Sequence, residues 1–200
     1  MVMEIFRQFN FLDVLILIIL FRICYVAVKM GLPVEFFKLL GVLSAIYCSL
    51  HYYTKLSDII RSRFFYRVHS PVRADMPLEF LDFLVFLILA GIGYLVFVIL
   101  RSMFYRFMKM EAVPEINKIG GFILGLIRGY FTIGLLTYIL TISSISYLSS
   151  SVRYSYLGSK AFFVAPGAYN WFWNNFASKF SPEEKSNTTV YEVMENFKGK

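Results

Sequence analysis

Arg22 and Arg128 both fall deep inside long apolar runs, Phe11–Val28 and Ile119–Ile142. An arginine near the middle of a membrane-spanning helix costs about 2.5–3.5 kcal/mol on insertion scales. Such a group is expected either to be neutralised by a carboxylate or to line a path for an ion or solute. The carboxylates within reach of apolar runs are Asp13, Glu35 and Asp82, each near a helix end. Asp13, Arg22 and Arg128 are therefore the candidate intramembrane charges.

Other reactive side chains are sparse. His51, near the end of an apolar run, and His69, in a basic loop, read as interfacial or solvated groups. Cys24 and Cys48 lie inside apolar runs, where a free thiol behaves as a small hydrophobe. No P-loop, GxGxxG, CxxC or HExxH pattern is present. Neither paired aspartates nor a Ser/His pair stands at depth, as an intramembrane protease needs. The expectation is a protein that is not an enzyme and takes no cofactor or metal.

Gly121, Gly125 and Gly129 are spaced four apart, so they share one face of a helix as overlapping GxxxG motifs. Bare backbone on that face lets another helix approach closely, which drives association in lipid. The partner is either a helix of the same bundle or a second protein. Residues 161–180 interleave Tyr169, Trp171, Trp173 and several phenylalanines with polar residues. That composition suits an interfacial segment.

The elements that carry these residues follow from composition. Apolar residues make up 58% of the 200 and charged residues 16%, less than the roughly 25% of soluble domains. A globule of this size cannot hide so much apolar surface; a bilayer can. Four spans are expected, at about 11–28, 36–54, 80–100 and 119–142, giving an all-α integral membrane protein. Gly31 and Pro33 punctuate a tight connection that makes the first two helices a hairpin. Residues 1–10 make no good signal peptide, because Asp13 and Arg22 interrupt the run and no small-residue cleavage site closes it. Residues 55–78 form a basic connection, part of it an amphipathic surface helix ended by Pro71 and Pro77. A membrane domain thus covers 1–160, an amphipathic aromatic segment 161–180, and a polar, loosely ordered tail 181–200.

The net charge is +7. Its lysines and arginines flank the apolar runs, which points to lipid headgroups and away from nucleic acid. On the N-terminal side stand Arg7, Lys55, Arg61, Arg63, Arg67, Arg73, Arg153 and Lys160; on the other stand Lys29, Lys38, Arg101, Arg106, Lys109 and Lys118. Eight against six leaves the positive-inside rule nearly balanced.

Several of these residues also carry a resemblance. From about Phe11 to Phe180 the chain resembles the colicin V production protein (CvpA) family. Phe11-Leu12-Asp13 looks like the family's aromatic-or-Leu-x-Asp opening. Gly31 to Glu35 is similar to its Arg-Gly-Phe-x-x-Glu connection, with Met30 in place of the arginine and Pro33 a departure. His51 to Ser57 looks like its close of the second helix. Gly121-x-x-x-Gly125-x-x-Arg128-Gly129 is the most specific match, preceded by Asn117-Lys118 where the family often has Asp-Arg. Ser159 and Pro166 look like its Ser-x-x-x-Pro tail, at wider spacing. The resemblance implies a bacterial inner-membrane protein tied to production or export of a peptide toxin and to envelope homeostasis, with no catalytic residues to carry over. Relatives fused to an extracytoplasmic protease domain imply that both termini lie outside the cytoplasm.

The reading is an accessory protein acting through self-association or an envelope or secretion protein. The alternative is a small oligomeric channel or transporter with an intramembrane pathway lined by Arg22 and Arg128.

Overall fold

The computed structural model describes residues 10–65, 78–107, 114–143 and 145–199. Residues 1–9, Arg67, His69, Pro71, Arg73, Pro77 and Lys109 lie outside the described residues. Four helices among the described residues are long and apolar enough to cross a membrane. The first, α1 (Phe11–Met30), starts at a capping box. The Asn10 side chain accepts from Leu12 N at 2.8 Å, while Asp13 accepts from Asn10 N at 2.9 Å. It ends at Gly31, whose φ of 80° needs a residue without a side chain. The second helix, α2 (Leu32–Ile60), follows at once, with Pro33 in its first turn where a missing N–H costs nothing. It continues as a π-helical turn, Arg61–Phe65.

The remaining spans are α3 (Leu78–Phe107) and α4 (Pro114–Ile142). The helices α2, α3 and α4 outrun their expected limits of 36–54, 80–100 and 119–142. Hydropathy marks only the stretch that hydrocarbon covers, whereas backbone hydrogen bonding carries a helix on into the headgroups. The start of the expected surface helix at 55–78 is thus a continuation of α2.

Tight connection does not make α1 and α2 a packed pair. The helix α4 packs on both, α2 also packs on α3, and α1 and α2 hardly meet. The four spans run laterally α1, α4, α2, α3. Small residues set this order: a Cβ on Gly93 of α3 would lie 2.9 Å from the Ala45 Cα of α2.

Beyond the spans come α5 (Ser146–Tyr154), α6 (Tyr156–Ala161), α7 (Val164–Phe172), a second π-helical turn (Trp173–Ala177), the short α8 (Ser178–Phe180) and α9 (Thr188–Lys198). A chain of aromatic rings ties them to the bundle. Tyr53 meets Phe86, Phe86 meets Tyr138, Tyr138 meets Phe162 and Phe162 meets Phe197, with centroids 5.6, 5.5, 5.7 and 4.1 Å apart.

Two expectations change here. The tail is not loosely ordered: Asn187 caps α9 through Thr189 N, and Val190 and Phe197 are buried. Val190, Val193, Met194 and Phe197 recur every three or four residues, so α9 has an apolar stripe that closes on the core. The 161–180 segment is amphipathic, as expected, but one face is not interfacial. Val164, Ala165, Tyr169 and Trp173 are buried in the bundle, while Trp171 and Phe180 are exposed.

Candidate functional site

Glu35, in the first turn of α2, is a fully buried charge. Arg128 Nε donates to its Oε2 at 2.7 Å, and Lys38 Nζ to its Oε1 at 2.6 Å. One carboxylate thus serves two cations, each by a charge-assisted hydrogen bond. Arg128 is turned into the bundle and neutralised. Lys38 was not singled out from the sequence, although its place one helical turn after Glu35 is the signal that would have found it.

Nearby, the glycine face of α4 is occupied from within the chain. A Cβ on Gly121 would sit 2.7 Å from the Ala27 carbonyl oxygen, one on Gly125 would collide with the Ala27 side chain, and one on Gly129 would sit 2.7 Å from Leu20 Cδ1. The glycines are what let α1 lie against α4. Four residues before Gly121, Asn117 Oδ1 accepts from Leu32 N at 2.7 Å, and its side chain packs on Gly31. An amide therefore supplies the acceptor for an otherwise orphaned N–H at the start of α2.

Asp13 acts at the other end of α1. Its Oδ1 accepts from Ser155 Oγ at 2.6 Å and from Leu157 N at 2.7 Å, and its Oδ2 from Tyr156 N at 3.3 Å. Ser155 Oγ in turn accepts from Gly158 N at 2.7 Å. A single buried carboxylate caps α1 and also holds the start of α6, more than 140 residues away.

His51, expected to be interfacial or solvated, is fully buried. Its ring lies between those of Tyr47 and Trp173, with centroids 5.4 and 5.0 Å away. Nδ1 stands 3.0 Å from Tyr169 Oη, and Nε2 stands 3.2 Å from Glu184 Oε2. Tyr169 Oη also accepts from Asn187 N at 2.9 Å, and Asn187 Nδ2 donates to the Leu50 carbonyl at 2.7 Å. Burial pushes the Tyr169 phenol up to about 12. Rather than facing solvent, these groups bind the tail to α2. Glu184 and Asn187 escaped sequence reasoning, since nothing local marks a tail residue as the partner of a histidine over 130 positions earlier.

Arg22 is exposed on α1 and is not brought to Arg128 or to a carboxylate among the described residues. Trp171 is 61% exposed. Cys24 and Cys48 are free. Among the described residues no group of three His, Cys, Asp or Glu side chains is placed to hold a metal.

Neither a curated protein nor a solved structure matches the chain. The family model described as colicin V production protein matches residues 12–166, from Leu12 beside the Asp13 clamp to Pro166 in α7. That stretch holds all four spans, the Arg128–Glu35 pair and the glycine face, and the chain belongs to the colicin V production protein family.

Proposed function

We propose that this chain is a non-catalytic accessory protein of the bacterial inner (cytoplasmic) membrane. It supports production or export of a colicin V-type toxin, and envelope homeostasis, through protein partners. Family membership supports the link to toxin production. One structural observation carries the accessory reading: Asp13, Glu35, Arg128 and His51 are all engaged in joining one part of the chain to another. Exposed surface is then open to other molecules. Trp171, Phe172, Phe176 and Phe180 stand exposed beside the docked α7, and exposed aromatic clusters are favoured contact residues. With Gly121, Gly125 and Gly129 covered by α1, this aromatic edge is the better candidate for partner contact.

Crosslinking in cells from a photoreactive residue at Trp171, read together with toxin secretion, tests the proposal. Capture of an envelope or secretion protein, with secretion lost in a deletion strain, is the expected result. Normal secretion and a normal envelope in the deletion strain would sink it. In the proposed orientation both termini lie outside the cytoplasm, in keeping with family relatives that carry an extracytoplasmic protease domain. A single cysteine at Ser186, with Cys24 and Cys48 replaced, is then labelled by a membrane-impermeant maleimide in intact spheroplasts. Labelling only after lysis reverses the orientation.

A further inference from the structure

Arg22 is the twelfth of the twenty residues of α1. At ~1.5 Å per residue it stands about 16 Å from the Phe11 end and about 12 Å from the Met30 end, so it is close to mid-depth. Its side chain is exposed, and no acceptor meets it among the described residues. Ile18, Phe21 and Tyr25, on the same outer face, are all more than half exposed. A lone arginine facing hydrocarbon is strongly disfavoured.

Escape to the headgroups is poorly available. Long helical side chains lean toward the N-terminus of their own helix. The Arg22 stem is therefore directed to the Phe11 end, the more distant of the two bilayer surfaces. An acceptor at depth is the remaining way to satisfy the guanidinium, and the acceptor that suits it best is a carboxylate, which takes two parallel hydrogen bonds.

Among the described residues, a second copy of the chain has no free carboxylate to offer at that depth. Asp13 is held by Ser155 and Leu157, Glu35 by Arg128 and Lys38, and Asp82 by Arg61 at 2.7 Å. Asp58 and Glu115 lie at the ends of their spans. We infer that the outer face of α1 centred on Arg22 docks a transmembrane helix of a different protein, one that carries an aspartate or glutamate near mid-depth. The inference deepens the accessory reading and rests on it, adding a second contact at a place unrelated to Trp171.

The test places a photoreactive residue at Ile18 of the full-length chain in cells and identifies adducts by mass spectrometry. The backgrounds are wild type, Arg22→Leu and Arg22→Lys, each at matched abundance. The expected result is an adduct with a protein whose membrane span holds an acidic residue. Its yield falls at least tenfold in Arg22→Leu, survives in Arg22→Lys, and falls equally when the partner's acidic residue is made leucine. Capture of the chain itself, lipid adducts alone, or a protein adduct indifferent to Arg22→Leu would overturn the inference. Capture from Trp171 with none from Ile18 overturns it while leaving the accessory reading intact. Silence at both positions, with normal secretion in the deletion strain, overturns both.

Discussion

Arg128 Nε meets Glu35 Oε2 at 2.7 Å across 93 residues of chain, in the buried interior between α4 and α2. Arg128 beside the glycine face and Glu35 just after the Gly31 connection are thus two halves of one contact. Removing one partner of a buried pair leaves an uncompensated charge, at a cost of about 3–5 kcal/mol. Arg128→Leu is expected to lower stability in detergent by less than that, because Lys38 still pairs with Glu35. The cost for Glu35→Leu is larger, because Lys38 also loses its partner. Arg128→Leu with Glu35→Gln recovers part of the loss. Thermal unfolding of the purified variants measures all three, and equal melting of Arg128→Leu and wild type would contradict the account.

Gly125 faces the Ala27 side chain too closely for any Cβ to fit without movement. Overpacking of this kind costs about 1–3 kcal/mol. Gly125→Ala should be destabilised by that amount and Gly125→Leu should accumulate poorly. Ala27→Gly, which removes the opposing methyl, should return Gly125→Ala most of the way to wild type. Should Gly125→Leu accumulate normally and merely lose an oligomer on native gels, the glycine face would belong to another chain.

Asp13 accepts from Ser155, Tyr156 and Leu157 while capping its own helix. Asp13→Asn keeps one acceptor oxygen but removes the charge that strengthens each bond. Loss of a helix cap alone costs about 0.5–2 kcal/mol. Hydrogen exchange should show the amides of 156–158 opening at least several-fold faster in this variant, with those in the middle of α3 unchanged.

Tyr169 joins His51 to Asn187 through its hydroxyl. Tyr169→Phe leaves Asn187 N–H without its acceptor, an expected loss of about 1–3 kcal/mol, seen as faster proteolysis in 181–199. The phenol pKa, raised by burial to about 12, also has a pH consequence. An unfolded tyrosine ionises near pH ~10, so the docked form binds the proton more tightly. Its contribution is full below about pH 10 and is lost as the pH climbs toward 12. Tail protection should fall across that window in wild type and lose this component in Tyr169→Phe.

The spans could be read from hydropathy because lipid leaves the backbone almost no option but a helix, so apolar length alone fixes an element there. The small-residue face was equally readable, since spacing four apart puts Gly121, Gly125 and Gly129 on one side whatever they touch. Tail order was readable in principle, from the spacing of Val190, Val193, Met194 and Phe197 below the capping Asn187, but the polar composition of 181–200 obscures it.

Partnership was another matter. A helical period says which residues share a face and nothing about which helix lies against it. The insertion of α4 between α1 and α2 is what covers the glycines, brings Arg128 to Glu35 and leaves Arg22 outside. Two arginines of similar depth in apolar runs therefore end in opposite circumstances, one neutralised and one facing the bilayer. Glycines flank Arg128 and none stands near Arg22, but which helix covers that small-residue face is decided by lateral packing order, a property of contacts between residues far apart in the chain.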